Sequence, residues 1–408
     1  MIRTMKNSKI YDIALIGGGL VGASLAASLK DSGLSLALIE TSPQPPSQNE
    51  AGSAAPSPDS SKTDDWDSRI YAISPGSRTY LERMGAWARL DQTRIAPVEE
   101  MRIFGDDGAK LQFEAYQMGV PELACILENR NLQQALWQKL REQDNLTLFN
   151  PARCAALSLN TSVAELTLSD GTILNAKLIV GADGRDSWVR KQAGMSAAPI
   201  DYQHHGVIAN FSCELSHRGI AHQWFEPEGI LALLPLPGNR VSMVWSVSPE
   251  RSKALLALSA DALCEQVALG ARQILGKLTI ITPAAAFPLR LLTLPHISAK
   301  RVALIGDAAH NMHPLAGQGV NTGFRDARQL TELLLNRGGC TDCGDAQLLH
   351  RYDRKRKEDI LSMQLTTYGL KSLFCNDDPL LRTLRNLGMN ATNQLSPLKK
   401  RLMQHALN

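Results

Sequence analysis

The segment from Gly306 to Asn321 combines an acidic residue with several glycines, a composition typical of a loop that binds a ligand. It follows a short apolar stretch at 301–305 and leads into a helical pattern that runs to about residue 336. In an open α/β sheet, such a strand–loop–helix junction presents backbone N–H groups to a ligand. Asp307 directly follows the strand, where its carboxylate can bind sugar hydroxyls. The glycines let the backbone approach an anionic or flat ligand closely.

A second glycine motif lies near the start of the chain, where residues 11–40 read as strand, turn, helix and strand. The turn has the spacing Gly-x-Gly-x-x-Gly. Its first glycine permits the turn, its second admits a pyrophosphate, and its third lets helix and strand pack closely. The acid that ends the second strand can bind both ribose hydroxyls of an adenosine, and its charge disfavours a 2′-phosphate. The pattern predicts an FAD or NAD site formed by Gly17, Gly19, Leu20, Val21, Gly22 and Glu40.

A third motif, Gly-Ala-Asp-Gly at 181–184, again follows an apolar strand and precedes a helical pattern. Asp183 and Gly184 are placed to contact a nucleotide cofactor or its reductant, and Ser187 and Arg190 could bind phosphate. An Asp-Gly pair alone is more typical of an ordinary turn. The order of the three motifs along the chain, near residues 20, 180 and 310, favours one shared nucleotide site.

Composition is that of a globular enzyme with two or three domains, because 44% of the 408 residues are hydrophobic and 20% are charged. No apolar run reaches the roughly 20 residues of a membrane span. Seven scattered cysteines indicate reduced thiols, so we expect a cytoplasmic protein. His310 and His313 lack acidic or thiol companions nearby, so no metal site is predicted. We also expect no nucleic-acid partner.

Charge is concentrated at the end of the chain. Residues 351–408 contain eleven Lys or Arg and five Asp or Glu, whereas the whole chain has a net charge of only +3. The segment 395–403 mixes apolar and basic positions at near-helical spacing. One interpretation is peripheral contact with anionic lipid, on the inner face of the membrane, or with a protein partner. A solvated helix face explains the pattern equally well.

Together these motifs resemble the single-component flavin hydroxylases of the p-hydroxybenzoate hydroxylase type, in particular their ubiquinone-biosynthesis branch. Besides the glycine-rich segments, the phrases that carry the resemblance include 67–74, 126–130, 221–225 and 229–236. The tail motifs Asn376-Asp-Asp-Pro379 and Arg385-Asn-Leu-Gly388 also match that branch. The resemblance covers nearly the whole chain except residues 42–65, which are rich in Pro and Ser and predict a flexible insertion.

The resemblance implies an FAD-dependent monooxygenase that hydroxylates a polyprenylated phenol or benzoquinol through a flavin C4a-hydroperoxide. It would use O₂, with NADH or NADPH as a transient co-substrate, and could act beside other ubiquinone-biosynthesis proteins. Two alternatives stay open on the sequence: a related FAD-dependent isoprenoid reductase, and a non-catalytic flavoprotein scaffold of a quinone-biosynthesis complex.

The resemblance also implies roles for particular residues. Arg69 and Arg130 match family arginines near the flavin and its pyrophosphate. His313 could reach the ring or the substrate, although a loop histidine without a catalytic role is the simpler interpretation. The residues expected around the ribityl chain and the flavin ring, including the catalytic candidates, are Gly306, Asp307, Pro314, Gly317, Gln318, Gly319, Val320 and Asn321.

The fold class predicted from these patterns is α/β, with a Rossmann-like FAD-binding domain, a mixed-sheet α+β substrate domain and C-terminal helices. We place the FAD-binding domain at 1–85, 118–198 and 288–350. The substrate domain would take 86–117 and 199–287, and the C-terminal helical region 351–408. The patterns further predict helices at 129–143 and 254–275, and a hairpin turn at Asp170-Gly171.

Overall fold

The computed structural model describes residues 9–45, 65–105, 108–196, 200–226, 228–312, 317–374 and 407. Most of the predicted insertion at 42–65, both His313 and Pro314, and the basic segment 395–403 lie outside the described residues. The described residues form an α/β fold with two large sheets and one small sheet.

The first large sheet is mixed, with the order β18-β19-β11-β1-β2-β8, and β10 and β9 extend it from β11. Its strands are β1 (Ile10–Ile16), β2 (Leu36–Ile39), β8 (Leu146–Phe149), β9 (Cys154–Leu159), β10 (Ala164–Leu168), β11 (Ile173–Gly181), β18 (Ser298–Ala299) and β19 (Val302–Leu304). The central parallel strands are almost entirely apolar, since helices cover both of their faces. The predicted hairpin turn joins β10 and β11.

The parallel strands of this sheet end at one edge. Ile16 at the end of β1 pairs with Ile39 of β2 and with Gly181 of β11. Gly181 in turn pairs with Leu304 of β19. The three glycine motifs and Glu40 directly follow these strand ends, so the register alone brings them to the same edge of the sheet.

Helices pack against both large sheets. They are α1 (Leu20–Ser28), α2 (Pro75–Arg83), α3 (Ala115–Met118), α4 (Asn129–Arg141), α5 (Trp188–Gln192), α6 (Pro249–Leu256), α7 (Ala260–Gly270), α8 (Gln318–Leu335) and α9 (Ala346–Phe374). Helix α1, which is made of small and apolar residues, packs against both α4 and α8. Helix α4 buries Leu132, Leu136 and Leu140, as its predicted apolar face requires.

The second large sheet has the order β16-β12-β15-β14-β13-β5-β6, with β17 paired to β12. Its strands are β5 (Glu100–Phe104), β6 (Lys110–Glu114), β12 (Ile200–Cys213), β13 (Ile220–Glu226), β14 (Gly229–Leu236), β15 (Arg240–Val247), β16 (Leu278–Ile280) and β17 (Ala285–Leu291). Strands from both segments of the predicted substrate domain therefore share one sheet. The side chains on one face, including Phe211, Met243 and Trp245, form a core with residues of α6 and α7.

A small antiparallel sheet of β3 (Ile70–Ile73), β7 (Ala124–Glu128) and β4 (Ala96–Val98) completes the strands. Strands β4 and β7 both contact β14, so this sheet packs against the second large sheet. The prediction of a single helix at 254–275 is wrong, because two helices, α6 and α7, occupy this part of the chain. Ser259 caps α7 by accepting the N–H of Ala262, which starts a new helix there.

Among the described residues, no helix has the length and apolarity needed to span a membrane.

Candidate active site

A large cavity, here called the main cavity, runs from the edge of the first large sheet where the parallel strands end to the face of the second large sheet that α6 and α7 do not cover. Its volume is about 2110 Å³, and residues of all three glycine motifs line it. Ligand pockets usually have volumes of about 300–1,000 Å³. The main cavity is therefore large enough for a dinucleotide together with a second ligand.

The first glycine turn forms one end of the main cavity, and its glycines differ in what surrounds them. A Cβ on Gly17 would lie 2.3 Å from the carbonyl oxygen of Ala182, and one on Gly22 would lie 2.0 Å from that of Gly17. Gly19 has no atom within 4 Å of the same position, because it faces the cavity. Leu20 and Val21 also line the cavity. Gly17 and Gly22 thus serve packing, whereas Gly19 leaves room for a ligand.

Glu40 closes the same end. Its Oε2 accepts the N–H of Gly18 at 2.6 Å and its Oε1 accepts the N–H of Ser42 at 2.7 Å, so the carboxylate is fixed at the cavity wall. The indole N–H of Trp137, on α4, donates to the carbonyl of Gly18 at 2.9 Å. Trp137 lines the cavity although no local pattern in the sequence marks it as a site residue.

The third motif holds the start of α5. Asp183 accepts the hydroxyl of Ser187 at 2.5 Å and the N–H of Val189 at 3.0 Å. Asp183 and Gly184 line the main cavity, but Ser187 and Arg190 do not. Ser187 caps α5, and the buried Arg190 donates to the carbonyl of Ala308 at 2.8 Å. These two residues therefore connect loops and do not face the cavity.

The loop that follows β19 presents Asp307 to the cavity, in a 3₁₀ turn at Gly306–Ala308. Helix α8 begins beside it, and its first-turn residues also line the cavity: Gly317, Gln318, Gly319, Val320 and Asn321. The side chain of Asn321 accepts the N–H of Ser74 at 3.0 Å and donates to the carbonyl of Ala72 at 2.8 Å, which fixes α8 against β3. The positive end of an 18-residue helix therefore points to the middle of the cavity.

The two predicted arginines have different positions. Arg69 lines the cavity, and its guanidinium lies 5.4 Å from the ring centre of Tyr71. Arg130 does not line the cavity, because its side chain turns to the carboxylate of Asp65 at 2.7 Å. Burial, with a contribution from the negative charge of Asp307, raises the pKa of Tyr71 to about 12. Tyr71 therefore keeps its phenolic proton at neutral pH.

The far half of the cavity is bounded by the second sheet. Side chains alternate along its strands, so every second residue faces the cavity. The apolar side chains of the sheet that line the cavity are Met101, Ile103, Leu111, Phe113, Ile208, Ala221, Phe225, Ile230, Ala232, Leu234, Val244, Phe287 and Leu289. Gln223, Ser242 and Ser246 add polar groups between them. Segments 221–225 and 229–236 carry part of the resemblance, but none of these residues was assigned to the site from the sequence, although the alternation along β13–β15 could have indicated them.

These features fit a bound FAD. The glycine turn and Glu40 match an ADP moiety, and the Asp307 loop with the start of α8 matches a flavin that reaches the middle of the cavity. Across the described ranges, no group of three or more His, Cys, Asp or Glu side chains could hold a metal ion.

Comparison with known proteins agrees with this geometry. Residues 59–364 match the family described as FAD binding domain. The chain is 35% identical over 403 residues to the ubiquinone hydroxylase UbiL of Rhodospirillum rubrum, which covers 98% of this chain and 90% of that protein. It is 34% identical over 402 residues to the 3-demethoxyubiquinol 3-hydroxylase of Escherichia coli, with 97% and 98% covered.

Solved structures show the same fold. PqsL of Pseudomonas aeruginosa, a probable FAD-dependent monooxygenase, superposes with a TM-score of 0.76 at 20% identity, over 94% of this chain and 100% of that chain. HpxO of Klebsiella pneumoniae, solved with FAD and uric acid, gives a TM-score of 0.72 at 16% identity, over 96% and 97%. The curated relatives are hydroxylases, which does not favour the reductase and scaffold alternatives. The chain is an FAD-dependent monooxygenase that belongs to the FAD-binding-domain family, in the group of the ubiquinone-biosynthesis hydroxylases.

Proposed function

We propose that this enzyme hydroxylates a polyprenylated phenol or benzoquinol on the ubiquinone pathway, with O₂ and with NADH or NADPH as transient co-substrates. The observation that carries the proposal is the continuity of the main cavity. It runs without a break from the nucleotide motifs to a wide apolar wall on the second sheet. A small polar phenol alone would not need such a wall.

The protein's own contribution is binding, orientation and exclusion of water. Glu40 and the first glycine turn would hold the ADP end of FAD, and Arg69, Asp183 and Asp307 line the cavity between this end and the second sheet. Bound FAD would supply the activation of dioxygen and the transfer of one oxygen atom to the ring. The N–H groups at the start of α8 would stabilise negative charge at the flavin, since the positive end of a helix favours an anion. The apolar sheet face keeps water away from the reacting centre.

The catalytic roles of Gly317 and Gln318 belong to this proposal, and both residues line the cavity. His313 and Pro314 stay predictions, because they lie outside the described residues. Tyr71, whose ring lies beside Arg69, adds a phenolic hydroxyl to the cavity lining.

We further propose that helix α9 contacts the membrane and admits the polyprenyl tail. Met363 and Thr366 of this helix line the cavity. On the same part of the helix, Leu361, Leu365 and Tyr368 are 44%, 62% and 45% exposed. Their spacing of four and three residues forms an apolar stripe on one side of the helix. Such a stripe beside the cavity, on the helix that precedes the basic segment 395–403 in the sequence, suits a peripheral position on anionic lipid.

The function is tested by deleting the gene and identifying the accumulated quinone precursor by mass spectrometry. We expect a prenylated ring that lacks one hydroxyl group, and restoration of ubiquinone by the intact gene. The purified enzyme should consume O₂ with NAD(P)H only when this precursor is present, and should add one oxygen atom to it. Unchanged ubiquinone and no accumulated precursor would refute the pathway assignment.

A further inference from the structure

We propose that Asp326 is a positioning residue for the FAD-binding turn at Asp307. The ion pair between Asp326 and Arg356 couples the docking of helix α9 to FAD binding. The inference rests on the FAD site proposed above and goes beyond it, since neither Asp326 nor Arg356 lines the main cavity. It makes α9 a part of the flavin site that lies outside the nucleotide motifs.

Asp326 lies on α8 and is completely buried. Its Oδ2 accepts the backbone N–H of Gly306 at 2.8 Å and interacts with Nε2 of His310 at 2.7 Å. Its Oδ1 accepts the Nε–H of Arg356, from α9, at 2.6 Å. A single carboxylate therefore joins the cofactor turn, a buried histidine and the C-terminal helix.

The turn that carries Asp307 is fixed at both ends by this carboxylate. Gly306 precedes Asp307 and adopts a left-handed conformation with φ +60°. His310 follows Asp307 by three residues, and the backbone N–H of His310 donates to the carbonyl of Gly306 at 3.1 Å. Because both ends bind the same group, the position of Asp307 at the cavity depends on where Asp326 is held.

The charges of the cluster support this role. Burial alone would raise the pKa of Asp326, but attraction from His310 and Arg356 holds it below its usual value, so the carboxylate is ionised. Burial acts to lower the pKa of Arg356, yet Asp326 and Asp359 together raise it. A buried carboxylate that loses its cationic partner is strongly destabilised. Asp326 consequently needs Arg356, and with it the docked α9 helix.

Further ion pairs fix helix α9 against α8. Asp359, one turn after Arg356, accepts from Arg356 at 2.7 Å and from Arg325 of α8 at 3.0 Å. Docking of α9 and order in the Asp307 turn are thereby linked. Linkage is reciprocal, so if docking of α9 strengthens FAD binding, FAD binding strengthens docking of α9 by the same factor.

The test is an FAD titration of the apoprotein with the variants Arg356→Met, Arg356→Lys and Asp326→Asn, together with hydrogen exchange of residues 346–369. We expect Arg356→Met and Asp326→Asn to weaken FAD binding at least tenfold, and Arg356→Lys to retain part of the affinity. FAD should slow exchange of α9 in the unmodified protein, and much less in Arg356→Met. The control is Arg351→Met, which removes an exposed arginine from the same helix and should bind FAD normally.

Normal FAD affinity in Arg356→Met, or exchange of α9 that FAD does not change in the unmodified protein, would refute the coupling. If Arg356→Met does not fold, the folded Arg356→Lys variant decides by the same two measurements. The titration contains no substrate. Failure of the hydroxylase assignment would therefore leave its result unchanged, and the two proposals can fail separately.

Discussion

The two halves of the main cavity are built from different elements of protein structure. The nucleotide half consists of turns that follow parallel strand ends, and backbone groups and glycines form much of its surface. The substrate half consists of side chains that project from one face of an antiparallel sheet. Backbone geometry therefore determines what binds at one end, whereas side-chain size and polarity determine what binds at the other.

This difference implies that substitutions in the two halves fail in different ways. A side chain added to a turn of the nucleotide half meets either fixed backbone, as at Gly22, or the space for the cofactor, as at Gly19, so the fold or cofactor binding should be lost. A side chain enlarged on the sheet meets open cavity, so the fold and FAD should be retained while substrate is excluded.

The largest effect is expected for Gly22→Ala. Its Cβ would lie 2.0 Å from the carbonyl oxygen of Gly17, so α1 must move away from the sheet. Overpacking of this kind costs about 1–3 kcal/mol or more. Urea denaturation of the apoprotein should show this loss, together with loss of bound FAD. The matched variant Gly19→Ala, whose Cβ would enter the cavity, should keep the stability of the apoprotein and lose only FAD. Equal stability of both variants would contradict the distinction.

The next effect is expected for Asp307→Ala, which removes the carboxylate that the loop presents to the cavity. A hydrogen bond to a charged group contributes about 1.5–3 kcal/mol, so FAD affinity should fall by about 10- to 150-fold. The purified variant should be nearly colourless, and titration with FAD should restore its spectrum only at high concentration. The variant Asp170→Ala, in the exposed hairpin turn, serves as a control for removal of a carboxylate. Full yellow colour with normal turnover would refute the role of Asp307.

The nucleotide half could largely be predicted from the sequence, because each of its motifs is local. A strand, a glycine turn and a helix within about 30 residues specify where N–H groups and carboxylates point. Arg130 shows that a local motif predicts the helix but not the direction of each side chain. It lies in the first turn of α4, as expected, but its side chain turns to Asp65, a partner 65 residues away.

The substrate half could be predicted only as a set of strands. Its wall depends on pairing of β5 with β13, in which Ile103 lies beside Gln223, and no local pattern gives that register. The buried group of His310, Asp326 and Arg356 was missed for the same reason. Its members come from a loop and two helices, and only tertiary packing brings them together.

A smaller and more selective effect is expected in the substrate half for Ala232→Phe. Ala232 lies in the middle of the cavity face of the sheet, between Gln223 of β13 and Val244 of β15. The larger ring should fill space that the substrate needs and lower kcat/KM by about 10- to 100-fold, equivalent to about 1.4–2.7 kcal/mol. Ala232→Val should lie between Ala232→Phe and the unmodified enzyme. FAD affinity should be unchanged in both variants, and a parallel loss of FAD would show that the two halves are not separable.

The smallest effect concerns His222, whose ring stacks on Phe104 and Trp224 beneath the substrate wall. Burial lowers its pKa to about 4, from 6.5 in the unfolded chain. Between these values the unfolded state binds more protons, so stability is full above pH 6.5 and is lost as the pH falls towards 4. From pH 6.5 to pH 5.5 the loss from this group is about 1 kcal/mol. Urea midpoints should therefore fall less over this range in His222→Phe than in the unmodified protein, and FAD binding at pH 7 should be the same in both. An identical pH dependence would show that His222 is protonated in the folded sheet and that this part of the wall admits water, unlike the closely packed turns of the nucleotide half.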